Sequence, residues 1–478
     1  MRFFADLPDM KIRILLFLCL SPVALADWPQ WLGPHRNNYQ PDSPPMLEAL
    51  PAGGLKPLWK SETFKSGFEG GWSSPVIANG TVYLFTHYRA LKKDMKLPKR
   101  NYPWLAPDKR SHLSPKEYQE YEVNRRDEDE ALGKYYTFIE RTYAFDAKTG
   151  ETKWTNDKQS LFTRFLQSGT ITVDREKLYV MGAPRTMRCI DAKTSESVWD
   201  TRLPGDHRDE FFMSSPAIND HVMAVFANEL YGIDIRTGTI IWSKPEYKNT
   251  HSSPTSFKNC FIVNRGDGHT TCLDAKTGEE RWSIETGARM STPVIRDDLL
   301  VTYGSSRKGG VRAYRISPEG GKELWRNTES ADPGASPTLI EDHLYVMGER
   351  QLSCISLKDG ERAWKEMLPL EKPRYTSISG ADGKLFYPWD GLLILSANAQ
   401  SYTPLIHGKI NAEGTLNTRE GHWNAMGLQK ATDQEKAKQT FRQQVGKQGP
   451  VNCTNAAISD GKIFLRRKDH VVCYDLRK

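Results

Sequence analysis

One short phrase recurs along this 478-residue chain, and repetition of that kind admits few architectures. It first reads Ser73-Ser74-Pro75-Val76-Ile77, followed by Gly80, Val82 and Tyr83. It returns as Ser214-Ser215-Pro216-Ala217-Ile218, Ser252-Ser253-Pro254, Ser291-Thr292-Pro293-Val294-Ile295 and Ser336-Pro337. Weaker copies stand at Gly169-Thr170-Ile171, Ser377-Ile378-Ser379 and Asn455-Ala456-Ala457-Ile458, which brings the count to eight. A second phrase follows most copies. Asp146-Ala147-Lys148-Thr149-Gly150 leads to Trp154 eight residues after the Asp, and Asp191/Trp199, Asp234/Trp242 and Asp274/Trp282 keep that interval. Ser356/Trp364 keeps it without the acid, and Trp325 ends a degenerate copy.

Each unit holds four β runs, A to D. The clearest are Ser252–Ser256, Cys260–Asn264, Thr270–Asp274 and Glu280–Ile284. The Asp-x-x-Thr-Gly link suits a tight hairpin, because Asp accepts from turn N–H groups and Gly supplies positive φ. The Trp is expected to face the neighbouring sheet and fill the space between them. A single small sheet cannot bury both faces, whereas a closed ring of sheets can. The last unit stops at Cys473-Tyr474-Asp475-Leu476, without a strand D, and Leu55–Lys60 with Trp59 supplies a matching run at the other end. The expected fold is therefore all-β: an eight-bladed β-propeller with four-stranded antiparallel blades, the N-terminal strand closing the last blade. One domain over residues 55–478 replaces the several that length alone suggests.

The Asp-x-x-Thr-Gly…Trp phrase resembles the tryptophan-docking motif of the PQQ-like β-propeller repeat family, which includes quinoprotein alcohol dehydrogenases and a bacterial outer-membrane assembly lipoprotein. The opening Asp27-Trp28-Pro29-Gln30-Trp31-Leu32-Gly33-Pro34 is similar to the start of secreted, planctomycete-type members. The resemblance covers nearly all of the chain after residue 26. It assigns Trp59, Trp154, Trp199, Trp242, Trp282, Trp325 and Trp364 to blade docking.

Lys11 and Arg13 precede the apolar run Ile14–Leu20, and Ala24-Leu25-Ala26 follows. This is the pattern of a secretory signal peptide (1–26) cleaved after Ala26, too short for a membrane span. The mature chain would begin with an extension, 27–54, and be periplasmic or secreted. Cleavage removes three bases (Arg2, Lys11, Arg13) and two acids (Asp6, Asp9), taking the net charge from +7 to +6. That mild excess lacks the dense basic stripe of a nucleic-acid binder. Of the remaining cysteines, Cys189, Cys272, Cys354 and Cys473 occupy one repeat position on strand C, where Ala144 and Gly232 stand in other units. They read as small packed side chains on four blades, not as a metal set. Cys260 and Cys272 lie on adjacent strands, and the sequence leaves open whether they pair.

Two intervals are long. Pro75 to its expected counterpart Thr170 is 95 residues, and Ile378 to Ala456 is 78, against 38 to 46 elsewhere. The insertions span about 89–136, between strands B and C of blade 1, and about 407–452, between blades 7 and 8. Ser114-Pro115-Lys116-Glu117 and Thr432-Asp433-Gln434-Glu435 are capping boxes, so each insertion is expected to carry a helix. B–C and D–A loops share one face, and the insertions are expected to meet above blade 8. The mouth of that face draws Trp72, Arg164, His251, Arg289, Arg374, Trp389 and Asp390 as candidate ligand-binding residues. Glu69, His87, Arg185, Arg265, Asp267, Arg350 and Tyr375 surround them. Arginine forks and aromatic faces suit an anionic or carbohydrate ligand.

His207-Arg208-Asp209-Glu210 and His422-Trp423 are the remaining polar clusters, and no HExxH, GxSxG or P-loop pattern is present. The expected function is an exported, non-catalytic, monomeric scaffold with no cofactor. It would bind an envelope protein, a peptide or a polysaccharide on the insertion face. The alternative, implied by the resemblance, is a PQQ- and calcium-dependent alcohol or sugar dehydrogenase. Against it, the adjacent cysteine pair of those enzymes is missing, and only Pro388-Trp389-Asp390-Gly391 offers a stacking ring beside a base.

Overall fold

The computed structural model describes residues 27–206, 214–348, 350–368, 370, 375–446, 449–451 and 453–478. Residues 1–26, where the signal peptide is expected, the His207–Glu210 cluster and Arg374 lie outside them.

Blade 4 shows how the repeat folds. Strands A (Thr255–Phe257), B (Cys260–Asn264), C (His269–Asp274) and D (Glu280–Glu285) pair in that order, antiparallel throughout. Eight such sheets form the ring. Every A–B turn has two residues and opens on a left-handed one: Asn79, Arg175, Asp220, Lys258, Asp297, Glu341, Asp382 or Asp460. Two-residue hairpins need this conformation to match the strand twist. In the C–D turn, the carboxylate of Asp146 accepts from Lys148 N (2.9 Å) and Thr149 N (3.0 Å), and Asp191, Asp234 and Asp274 repeat the arrangement.

Two blades depart from four strands. In blade 3, one run, Val222–Asp234, pairs with strand A through its first half and strand D through its second, with Asn228 left-handed between them. Blade 7 gains Tyr39–Gln40 on its inner edge, parallel to Ser379–Ala381, and Leu416–Thr418 on its outer edge. In blade 8, Trp59–Lys60 pairs antiparallel with Cys473 and Val472, so the chain's start supplies strand D as expected. Only two residues of the 55–60 run enter the ladder, and backbone bonds from Leu58 to Cys473 and from Ser61 to Val471 extend it.

Hydrogen bonds link blade to blade at two radii, at six junctions near the axis and at seven further out. Near the axis, the second residue of the Ser-Ser-Pro phrase donates its N–H to the hydroxyl of its counterpart one blade on. The bonds are Ser74 to Thr170, Thr170 to Ser215, Ser215 to Ser253, Thr292 to Ser336, Ser336 to Ser377, and Asn455 back to Ser74, all 2.9–3.0 Å. These bonds, and the pairing of Thr172 with Tyr179 where Val76 pairs with Tyr83, make Ile171 the counterpart of Pro75, one residue later than expected. Further out, each repeat Trp sends its indole N–H into the next blade. Trp59 reaches Ala147 O, Trp154 Ala192 O, Trp199 Ile235 O, Trp242 Ala275 O, Trp282 Ser317 O, Trp325 Leu357 O and Trp364 Asn398 O, at 2.7–3.1 Å. Blade 7 has Ile406 at this place.

These rings account for two compositional features. Directly across the C–D ladder from the Trp stand Ala144, Cys189, Gly232, Cys272, Ala313, Cys354 and Cys473. A Cβ on Gly232 would come within 2.0 Å of Trp242. The Gly of the Asp-x-x-Thr-Gly turn lies under the previous blade's ring: at Gly150 (φ 75°) a Cβ would stand 2.4 Å from Trp59. Cys260 and Cys272 remain unpaired thiols, and burial raises both.

The closing junction carries an additional fastener. Arg466 is fully buried and bonds Ser66 Oγ (2.9 Å), Ser73 O (2.8 Å) and Gly70 O (2.9 Å), with its guanidinium over the Phe64 ring.

The first insertion begins later than expected, since strands B (Thr81–Leu91) and C (Tyr136–Asp146) of blade 1 extend into it. It carries α1 (Pro115–Gly133), capped reciprocally by Ser114 and Glu117. The second follows strand D of blade 7 (Thr403–Ile410) and carries α2 (Arg419–Ala425) and α3 (Gln434–Gln444). The Thr432 box does not form as written: Asp433 is the cap of α3. The insertions are fastened to different blades. Gly133 abuts Phe162 and Asp129 faces Arg164 on the way to blade 2, whereas the second insertion bonds Leu55 and Arg467. The expected junction above blade 8 is not the one these anchors build.

Deleting residues 55–62 removes strand D of blade 8 and the Trp59 latch, and is expected to abolish cooperative thermal unfolding. Trp59→Ala, which keeps the ladder, is expected to lose about 3–5 kcal/mol in chemical denaturation.

Candidate functional site

In a propeller the obvious place for a ligand is the axis, where eight strands A converge. Here the chain's own N-terminal segment, residues 27–41, crosses it. Trp28 exchanges both backbone bonds with Ile77 of blade 1, and Pro29 O accepts from Val173 of blade 2. Arg36 donates to Pro216 O (2.7 Å) and Ser215 O (3.1 Å) of blade 3, and Trp31 Nε1 to Thr292 Oγ1 (3.0 Å) of blade 5. Asn38 bonds Pro337 O of blade 6 and, through its own carbonyl, Gly380 N of blade 7. Gln40 reaches Ile458 O of blade 8. Seven of the eight blades are tied to this segment. Arg36 is buried among carbonyls, and burial draws its guanidinium down to about 9.

Two spaces remain on either side of the segment. On the A–B turn face, a cavity of about 700 Å³ opens beside blades 3 to 6, between His35 and Tyr39 on one side and Lys258, Arg296, Asp297 and Glu341 on the other. On the insertion face, a cavity of about 30 Å³ lies between Trp31, Trp72, His251, Met290, Tyr375 and Cys453. Trp72 is braced edge-on by Phe68 (5.2 Å), and its backbone N–H donates to Ser168 Oγ. His251 Nδ1 pairs with Thr250 Oγ1 (2.8 Å), and burial lowers its pKa. Asp332 lies close enough to Cys453 to act on it. It accepts from Gly334 N and Ala335 N, burial raises its pKa, and its charge helps burial push the Cys453 thiol up to about 12.

Of the expected mouth residues, the structure brings Trp72, His251 and Tyr375 together at this cavity. Arg164 is turned toward Asp129 of the first insertion (3.7 Å). Arg289 is exposed beside Gly268. Trp389 packs against the core of blades 6 and 7, and Asp390 pairs with Lys409. Arg185 is bound to Glu229 (2.8 Å). His87, expected at the rim, is wholly buried. Its Nδ1 accepts from Gln167 N (3.0 Å), and burial followed by the charge of Arg188 lowers it to about 3. Beside it lies a buried ion pair between blades 1 and 2, Glu140 with Arg188 (3.0 Å), whose carboxylate also accepts from Ser160 Oγ. Neither the pair nor the crossing segment was legible as a site, because both consist of isolated residues outside the repeat phrases.

The quinone and calcium implied by the resemblance can be tested against this geometry. A space of about 30 Å³ holds a water or two and is far too small for a tricyclic tricarboxylate. Among the described residues, no group of three His, Cys, Asp or Glu side chains is arranged to hold a metal ion. At this mouth the residues present do not fit the pair.

Residues 140–366 match the family model described as outer membrane protein assembly factor BamB. Two curated proteins are similar in sequence. Quinohemoprotein alcohol dehydrogenase ADH-IIG of Pseudomonas putida is 28% identical over 164 residues, 29% of this chain and 22% of that protein. Outer membrane protein assembly factor BamB of Burkholderia pseudomallei is 24% identical over 224 residues, 43% of this chain and 55% of that protein. The chain thus spans between a fifth and just over half of these relatives. Among solved structures, a europium-containing methanol dehydrogenase superposes with a TM-score of 0.53 at 11% identity, covering 79% of this chain and 84% of that one, a likeness of fold.

The His87 imidazole has a pH signature. Its folded pKa lies below the ordinary 6.5, so the folded state binds fewer protons. Stability is therefore full above 6.5 and declines as pH falls toward 3. In urea denaturation from pH 7 to pH 5, wild type is expected to lose more stability than His87→Gln. Parallel profiles would show that His87 titrates normally.

Proposed function

We propose that this chain, which matches the family model of outer membrane protein assembly factor BamB over residues 140–366, is an exported, non-catalytic scaffold that binds a protein, peptide or anionic or carbohydrate ligand on the face carrying the insertions. The observation that carries this reading is the crossing segment. With Trp31, Arg36 and Asn38 across the axis and about 30 Å³ left beside Trp72 and His251, recognition moves from the funnel to the rim. The rim is where this chain departs from its own repeat, with two helical insertions and a mouth of Trp72, His251, Arg289 and Tyr375. One relative's name, outer membrane protein assembly factor, agrees with protein binding in a cell envelope. The signal-peptide pattern of residues 1–26 agrees with export.

A dehydrogenase would need space for a quinone, and the geometry does not favour one. The two readings separate cleanly. Mature protein incubated with PQQ and calcium is expected to show no dye-linked alcohol oxidation and no rise in melting temperature, and quinone-dependent dye reduction would overturn the non-catalytic reading. In envelope pull-downs, replacing residues 411–446 by a short Gly-Ser linker is expected to reduce capture of the partner at least about tenfold at unchanged melting temperature. Undiminished capture by that variant and by one lacking residues 92–135 would remove the insertions from the binding face.

A further inference from the structure

The large apolar side chains that this propeller leaves in solvent are concentrated. Phe68 (85% exposed), Leu91, Met95, Leu97, Trp104 (63% exposed) and Leu161 all lie on blade 1's side of the insertion face, on its B–C insertion or in the loops that flank the blade. Most of the others, such as Val198 and Leu324, are single residues on outer D strands, where isolated exposure is ordinary. Between Leu91 and Trp104 the sequence places Lys92, Lys93, Lys96, Lys99 and Arg100 against one acid, Asp94. Arg100 is paired with Asp129 of α1. The four lysines are exposed and have no carboxylate partner among the described residues.

This arm is fastened in place. Asn101 N and Tyr102 N donate to the Glu128 carboxylate (2.7 and 2.9 Å), and Tyr121 donates its hydroxyl to Pro103 O (2.7 Å). Tyr102 and Tyr121 meet edge to face at 5.4 Å. Helix α1 therefore acts as a splint for the chain leading to Trp104, and its capping box at Ser114 and Glu117 fixes where the splint begins.

We propose that this surface is a peripheral membrane-binding site for anionic phospholipid bilayers. Three features select that partner. Leucine, methionine and tryptophan side chains presented to water are apolar groups that can enter the headgroup–acyl boundary, and a tryptophan ring is favoured at headgroup depth. Lysines lying between them keep their charge at the interface while their methylene stems follow the apolar surface. Each contributes to attraction by an anionic leaflet. A soluble polyanion would engage the lysines and leave Leu91, Met95 and Leu97 without a role. A protein partner is a poorer match, because lysine is depleted from the cores of protein interfaces. The surface lies on the insertion face to which the scaffold reading assigns binding, but its occupant is a bilayer, and vesicles of pure lipid test it without any protein or saccharide ligand, so its failure and the failure of the scaffold reading are distinguishable. No helix among the described residues is long and apolar enough to cross a membrane, so the attachment is to a surface.

The test is co-sedimentation of mature protein with vesicles of phosphatidylcholine alone or with about one third phosphatidylglycerol, at low and high salt. Binding is expected only on the phosphatidylglycerol vesicles and is expected to weaken with salt. Lys96→Gln is expected to weaken it about fivefold and Trp104→Ser about tenfold, with unaltered melting curves. Failure to sediment with the anionic vesicles would overturn the proposal. So would binding to dextran sulfate with vesicle binding indifferent to Trp104→Ser, which would identify a polyanion site instead. Since the two variants lie on an exposed arm, equal melting temperatures separate loss of binding from loss of fold.

Discussion

The structure depends on hydrogen bonds that pass from each blade to the next. A four-stranded sheet in this ring has two faces to cover, and each neighbour covers one. Apolar contact alone would let adjacent sheets slide, because burial is non-directional. The six inner hydroxyl links at Ser74, Thr170, Ser215, Thr292, Ser336 and Asn455, and the seven outer indole links from Trp59 to Trp364, fix most sheets at two points relative to a neighbour. Both use side-chain groups that would otherwise be buried without partners. The repeat phrase is thus a record of two fixed points per blade. Blade 7 is the exception at the outer radius. Ile406 replaces the indole, and an added outer strand, Leu416–Thr418, with Leu55 bonded to Leu416, lies where the latch is missing.

Ring closure places unusual demands on charge. Arg466 and Arg36 are both buried without a carboxylate, one at the junction of blades 8 and 1 and one on the axis. Burial pulls both guanidiniums down to about 9, still above neutral pH, so both remain charged. A guanidinium has five donors in a fixed fork, and loops at these places offer several backbone carbonyls but no acid. The fork gathers segments that have no ladder to hold them: Lys65–Ser73 around Arg466, and the crossing segment around Arg36.

How much of this was legible follows from the period. The blade count, the strand order, the closing strand and the small residue opposite each tryptophan all recur, so the sequence states them several times over. The Cys position reads correctly for that reason, since Ala144 and Gly232 reveal what the four thiols are for. Single occurrences carry no such redundancy. Trp31, Arg36 and Asn38 are spread over eight residues of an extension with no periodicity, and their partners lie hundreds of positions away. Likewise Arg164, Asp390 and Arg185 looked like mouth residues from their loop positions, yet each faces an acid or a lysine supplied by another segment. Loop position predicts which face a side chain is on. Which way it turns is set by partners that only tertiary structure brings near.

The crossing segment also determines where new function can arise. A residue on the axis touches strands from several blades, so any change there disturbs inner links that hold the ring together. The segment between Asp27 and Pro41 crosses the axis and uses it for cohesion, tying seven blades together through hydrogen bonds. The rim is under no such constraint. The first insertion is joined to the ring through the long B–C hairpin of blade 1 and splinted mostly by its own helix, and the second is packed mainly on the outer flank of blade 7. Their surfaces can change without altering the inner hydroxyl links or the outer indole links between blades. Exposed Trp104 and Phe68 are large apolar side chains that the ring does not need, and the free energy of leaving them in water is recovered only when something covers them.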